Sequence, residues 1–174
     1  MKKNNRISKG YYIWGRLEET DKDELEKIKH KVNVELKGPP FDIHITLSGP
    51  LAGFSKKLIS VNLETISRNF QRFNITPLCY VAKDKFYESL HIGVLNSKDL
   101  QDLVSYLNNT FNIYTENFYP HISLFYGDCL HTSKLRIIES LPKLPKHLLL
   151  NSISLVYVNE NIDLWEIQEN FYLQ

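Results

Sequence analysis

The sequence predicts an α+β protein of two pseudo-symmetric β-α-β-α-β lobes, each with an antiparallel sheet, around a central cleft. Three observations carry this. The tetrapeptide His44-Ile45-Thr46-Leu47 returns as His121-Ile122-Ser123-Leu124, an offset of 77. At the same offset, without gaps, Phe41 falls on Phe118, Thr20 on Ser97, and Asn74, Leu78, Tyr80 and Val81 on Asn151, Leu155, Tyr157 and Val158. The matched span, Tyr12 to Val81 against Ser89 to Val158, covers most of the chain and is too long for a solenoid period. Finally, strand-like and helix-like segments follow the same order in both halves. Residues 1–174 are read as a single bilobal domain, with lobes roughly 11–82 and 86–174 and strand exchange between them left open.

The first half opens with a strand over Tyr11–Leu17, rich in aromatic and β-branched residues. Thr20 then caps a helix with acidic residues in its first turn and Leu25, Ile28, Val32 and Leu36 as its buried stripe. Gly38-Pro39-Pro40 stops it. A strand over about Asp42–Ser48 carries the first histidine and breaks at Gly49-Pro50. Lys56–Asn69 reads as a helix and Phe73–Ala82 as one strand, closed by a turn at Lys83-Asp84-Lys85. The second half replays this order. Phe86–Val94 is a strand, and Ser97 caps a helix with an apolar face of Leu100, Leu103, Val104, Leu107 and Phe111. His121–Tyr126 is the second histidine strand, Thr132–Leu141 a short helix. Leu148–Val158 and Asp163–Tyr172 form a hairpin around Asn159-Glu160-Asn161.

Composition narrows the function classes. The chain has 174 residues, 43% hydrophobic, with 21 basic and 20 acidic side chains and a net charge of +1. That balance gives no footprint for long nucleic acid or a membrane surface. Met1–Lys9 is basic, but the apolar stretch after it, Tyr11–Trp14, is too short for a signal peptide, and no run reaches transmembrane length. Cys79 and Cys129 form no C-x-x-C motif and read as reduced thiols. A cytoplasmic monomer is the expectation.

On a strand, residues i and i+2 share a face. Each tetrapeptide therefore presents an imidazole beside a hydroxyl. Two such pairs face to face supply a base for water and an acid for a departing alkoxide. Thr46 and Ser123 would donate to the non-bridging oxygens of a phosphodiester. Such phosphoryl chemistry rests on positioning and charge, and neither motif carries the further His or carboxylate a metal site requires. Ser123 lacks a nucleophile elbow.

With those residues in view, the chain resembles the two-histidine (2H) phosphoesterase superfamily, whose signature is one H-x-T/S motif per lobe. Tyr12-Ile13-Trp14, Gly38 to Gly49, Phe86-Tyr87-Glu88 and Tyr119 to Asp128 are similar to its plant and fungal cyclic phosphodiesterases. The most specific run is Pro120-His121-Ile122-Ser123-Leu124-Phe125-Tyr126-Gly127-Asp128. Ile43 stands where many relatives have proline. The resemblance implies His44 and His121 as the catalytic pair, Thr46 and Ser123 as phosphate ligands, and Trp14 and Tyr126 as substrate contacts. It implies no metal and no cofactor. The substrate would be a 2′,3′-cyclic nucleotide opened to a 2′-phosphate, or ADP-ribose 1″,2″-cyclic phosphate opened to the 1″-phosphate. Other branches of the superfamily process RNA ends or degrade cyclic (oligo)nucleotide immune signals, and a non-catalytic nucleotide-binding module is the rival from another class.

Two further residues follow from the repeat. His91 falls on Trp14 under the offset, which puts it on the matching wall of the cleft as a substrate contact without a hydroxyl partner. Tyr126 conflicts with strict alternation and must lie past a bulge to reach the cleft. His121 is read as the base and His44 as the acid, although pseudo-symmetry leaves the roles exchangeable. Arg16 and the histidines at 30, 131 and 147 read as solvated.

Overall fold

A computed structural model describes residues 9–114 and 117–174. The basic run before Lys9 lies outside the described residues. Eight strands form one antiparallel sheet in the order β3-β7-β1-β2-β6-β5-β4, with β8 also on β7. The strands are β1 (Gly10–Leu17), β2 (Ile45–Ser48), β3 (Phe73–Ile75), β4 (Pro77–Ala82), β5 (Leu90–Val94), β6 (His121–Phe125), β7 (Leu148–Val158) and β8 (Glu166–Tyr172). Four helices accompany them: α1 (Glu19–Leu36), α2 (Lys56–Asn69), α3 (Lys98–Thr110) and α4 (His131–Glu139). This is the expected α+β architecture.

The centre of the sheet explains the repeat. Strands β2 and β6 meet at Ile45 and Ile122, which pair directly with each other. Those two residues are related by the 77-residue offset, so the pseudo-twofold axis passes between them. The neighbouring pairs obey the same offset. Gly15–Ile45, Trp14–Thr46 and Ile13–Ser48 on β1/β2 match Ile92–Ile122, His91–Ser123 and Leu90–Phe125 on β5/β6. Each series skips one residue, Leu47 or Leu124, so both lobes carry a β-bulge at the same place.

Apolar alternation sorts the two faces. Ile13, Ile45, Leu47, Leu90, Ile92, Ile122 and Leu124 join the helices in the main core. The opposite face holds a smaller cluster of Tyr12, Trp14, Val156 and Val158, joined by Trp165 and Ile167. Helix α1 packs on β6 and α3 on β2, so each lobe's first helix covers the other lobe's histidine strand. Asn33 on α1 donates to the carbonyl of Leu124, and Ser48 on β2 donates to the Asn108 side chain on α3.

Several element boundaries depart from the sequence reading. The segment Phe73–Ala82 is not one strand. It divides at Thr76, and β3 pairs with β7 whereas β4 crosses to β5. Pro77 lacks the N–H that would carry a ladder through, and the Thr76 carbonyl turns to accept from Leu95. Phe86–Glu88 forms a 3-10 turn before β5, and Ile162–Leu164 forms another before β8. Thr20 is not the cap of α1. The helix starts two residues earlier, at Glu19, with Glu18 at the N-cap and no side-chain cap. Asp21 lies in the first turn as expected and also accepts from the backbone N–H of Leu149. The cap of α3 is Ser97, which accepts from Leu100. The outer strands break the symmetry. Trp14 pairs with Ser154 on β7, but His91 pairs with Val81 on β4, which is not the equivalent of Ser154 under the offset.

Because Ile45 and Ile122 are both fully buried on the axis, Ile45→Ala or Ile122→Ala is expected to cost about 2–5 kcal/mol. In urea titrations, the double variant should lose less than the sum of the singles, since both cavities share one wall.

Candidate active site

One register pair sets the site. With Ile45 opposite Ile122 in an antiparallel ladder, His44 lies opposite Ser123 and Thr46 opposite His121. The two histidines are then diagonal neighbours, with Cβ atoms about 7–8 Å apart by sheet geometry. Their imidazoles sense each other electrostatically, because a charge on His121 disfavours one on His44. Each imidazole thus sits beside a hydroxyl of the other lobe as well as its own.

Both rings are held by the same device. Nδ1 of His44 donates to the carbonyl of Asp42 (2.7 Å), and Nδ1 of His121 donates to the carbonyl of Tyr119 (3.0 Å). The acceptor is a carbonyl in both cases, so the proton sits on Nδ1 and Nε2 keeps its lone pair. The donor and acceptor residues are again related by the offset.

The packing of the two rings differs. His44 is 4% exposed and lies flat on the indole of Trp14, with centroids 3.6 Å apart and planes 8° apart. Trp14 is therefore buried beneath His44, and it lines a cavity of about 540 Å³ with Lys29, Phe41, Asp42 and Trp165. His121 is only partly buried. Against it lie Tyr119 (5.6 Å, 27°) and His91 (4.9 Å, 58°). His91 thus occupies the wall position that Trp14 takes in the other lobe. It is fully buried, and both its ring nitrogens are engaged, Nδ1 with the carbonyl of Glu88 and Nε2 with the hydroxyl of Tyr119. It touches His121 rather than open groove.

Thr46 is exposed and its hydroxyl is available. Ser123 is 3% exposed and bonds the phenol of Tyr126. Tyr126 reaches this face because the bulge at Leu124 reverses the alternation after Ser123, which sends Phe125 into the core. Its ring stacks on Phe41 at 4.0 Å and meets Tyr87 and Trp165 edge-on. Burial raises its phenol well above the ordinary tyrosine range, so it stays protonated.

The sequence reading missed Trp165. It comes from the β7–β8 turn, donates from Nε1 to the carbonyl of Asn159 (2.7 Å), and packs against Trp14, His44, Tyr87 and Tyr126. No periodicity signals such a position, and the sequence reading places Trp165 inside the strand Asp163–Tyr172. Arg16 is not solvated. Its side chain is 12% exposed and pairs with Asp42 at 3.6 Å. His30, His131 and His147 are exposed, and Cys79 and Cys129 are free thiols. Among the described residues no three His, Cys, Asp or Glu side chains converge as metal ligands would.

Burial pushes His44 down to about 3, with Arg16, His121 and Lys29 adding to the effect. It pushes His91 down to about 4 and also lowers His121. The Glu88 carboxylate opposes the shift at His121 and at His91, while Lys83 adds to both and Lys85 to that of His121.

No family model and no curated protein matches the sequence. Solved structures do match in fold. TT0787 of Thermus thermophilus is 15% identical with a TM-score of 0.63, over 94% of this chain and 97% of that one. Apo LigT of E. coli is 13% identical with a TM-score of 0.63, over 95% and 98%. LigT complexed with 3′-AMP is 13% identical with a TM-score of 0.60, over 97% and 99%. The chain has the two-histidine phosphoesterase fold. Among its described residues no helix is long and apolar enough to cross a membrane.

Neutral burial of His44 and His91 has a consequence for stability. The unfolded chain protonates both near their ordinary value of 6.5, while the folded chain resists down to about 3 and 4. Stability is therefore complete above pH 6.5 and falls as pH drops toward 4. A thermal-melt series should show that decline, and His91→Gln should make it shallower.

Proposed function

We propose that this protein is a two-histidine phosphoesterase that hydrolyses a cyclic phosphodiester in a small nucleotide. The observation that carries the reading is the doubly repeated register. It sets two imidazoles of one tautomer diagonally across the pseudo-twofold, each between two hydroxyl-bearing positions. The 3′-AMP complex of LigT, a protein of the same fold, adds support for a nucleotide ligand. The groove is built within one chain, so a monomer suffices.

The chemistry follows from placement. Water attacks phosphorus in line with the ring oxygen that departs. One Nε2 takes the water proton as the P–O bond forms, and the other Nε2–H gives its proton to the leaving alkoxide as the old P–O bond breaks. Thr46 donates its hydroxyl proton to a non-bridging oxygen. Ser123 and Tyr126 are hydrogen-bonded, and Tyr126, held protonated by burial, keeps the pair supplied with a proton for a non-bridging oxygen. The aromatic wall of Trp165, Tyr87 and Tyr126 suits a nucleobase. We assign the substrate to a 2′,3′-cyclic nucleotide or ADP-ribose 1″,2″-cyclic phosphate, and the reaction to metal-independent hydrolysis.

The surroundings favour roles opposite to those read from sequence. His44 is the more deeply buried and faces cationic Arg16 and Lys29, so it stays neutral and serves as the base. His121 is less deeply buried, and Glu88 opposes the effect of Lys83 and Lys85 on it, so it takes a proton first and serves as the acid.

Turnover of 2′,3′-cyclic AMP should persist in EDTA. It should fall about 10²–10⁴-fold in His44→Ala or His121→Ala. Binding without turnover of any cyclic phosphate would point to a sensor, and loss of activity in EDTA would return metal chemistry. The pH dependence of kcat/KM checks the roles. The acidic limb reports His44 becoming protonated, and the basic limb reports His121 losing its proton. Removing the Glu88 carboxylate in Glu88→Gln should move the basic limb to lower pH.

A further inference from the structure

The lobe-2 histidine is held by a feature that neither the motif nor the mechanism above uses. His91 has no exposed surface, yet it is a polar ring on the groove face of the sheet. Its Nδ1–H donates to the carbonyl of Glu88 (3.0 Å), which leaves Nε2 as an acceptor for the hydroxyl of Tyr119 (3.1 Å). Tyr119 in turn offers its carbonyl to Nδ1–H of His121 and lays its ring against the His121 imidazole. The ammonium of Lys83 caps that ring at 4.1 Å. The chain Glu88 carbonyl, His91, Tyr119, His121 is thus continuous.

In lobe 1 the same task falls to different chemistry. Asp42, the offset equivalent of Tyr119, is tied by its carboxylate to Arg16, and the flat face of Trp14 supports His44. In lobe 2 the equivalent of Arg16 is Gly93. A Cβ there would meet the Tyr119 hydroxyl at 3.6 Å, an ordinary van der Waals contact, and Gly93 brings no guanidinium to compete with His91 for that hydroxyl. Burial keeps His91 neutral, which preserves it as an acceptor.

We propose that His91, by anchoring the Tyr119 hydroxyl, keeps the Tyr119 carbonyl in place against His121 Nδ1–H, so that Tyr119 and His91 are coupled positioning residues for the tautomer and ring orientation of His121. The role in turnover rests on the reading of His121 as a proton-transfer group; the effect on tautomer does not.

The experiment separates the two. The tautomer of His121 is read by ¹⁵N NMR, and turnover of 2′,3′-cyclic AMP by steady-state kinetics, in wild type, Tyr119→Phe, His91→Phe and His91→Gln. Tyr119→Phe removes one hydroxyl and leaves the ring. It should bring the Nε2–H form into the His121 signal and lower kcat about tenfold, with KM within about twofold. His91→Phe should behave likewise, and the double variant should be no worse than either single. His91→Gln, whose side-chain oxygen reaches the Tyr119 hydroxyl, should recover most of the kcat. An unchanged tautomer and unchanged kcat in both phenylalanine variants would overturn the proposal. A tautomer shift in a protein that turns over no cyclic phosphate would uphold the positioning and overturn the catalytic reading instead.

Discussion

The pairing of Ile45 with Ile122 is the constraint on which the groove depends. A strand ladder has a side-chain period of two, so a slip of one residue would turn both histidines into the core and both isoleucines out. Full burial of Ile45, Ile122 and their neighbours Leu47 and Leu124 opposes that slip. The hydrophobic pattern on one face thereby sets the chemical spacing on the other. Helices α1 and α3 reinforce it by crossing the axis, since each covers the opposite lobe's histidine strand. Neither lobe can shift along the shared seam without unpacking a helix that belongs to its partner.

The two halves reach the same imidazole geometry by separate means. The backbone contribution is common to both: a carbonyl two residues upstream that fixes the tautomer. Side chains supply the rest, and there the symmetry ends. Trp14 with the Arg16–Asp42 pair serves lobe 1, whereas His91 with Tyr119 serves lobe 2. The edges of the sheet diverge further, because β4 and β7 meet their neighbours in different registers. Symmetry is retained where the ladder touches the axis and is lost with distance from it.

What could be read in the sequence follows the same gradient. The histidine strands, their hydroxyl partners and the offset were legible because a period of two and a direct repeat are local signals. The bulge that brings Tyr126 to the groove was legible only as a contradiction between motif and alternation. The division of Phe73–Ala82 was not, since apolar content persists across Thr76 and only the missing N–H of Pro77 marked it. The place of His91 on the wall was legible from the offset. Its complete burial against Tyr119 was not, because that hydroxyl arrives from a residue 28 positions away. Trp165 lay furthest from reach, as a turn residue whose position is decided by the aromatic cluster it joins.

The asymmetry has an electrostatic consequence for a site built on a repeat. Burial depresses both imidazoles, so the resting groove holds two neutral bases and no acid. In the proposed reaction a bound phosphodiester is an anion, and its arrival would favour a proton on either ring. With identical surroundings the proton would be shared, and half of the bound complexes would carry it on the wrong side of phosphorus. Arg16 and Lys29 act on the deeply buried His44, whereas at the less buried His121 Glu88 opposes Lys83 and Lys85, so the two surroundings are unequal before substrate enters. The duplicated scaffold supplies the geometry of two opposed groups. In the proposed reaction, the unequal burial of the two rings would supply the direction in which the proton travels.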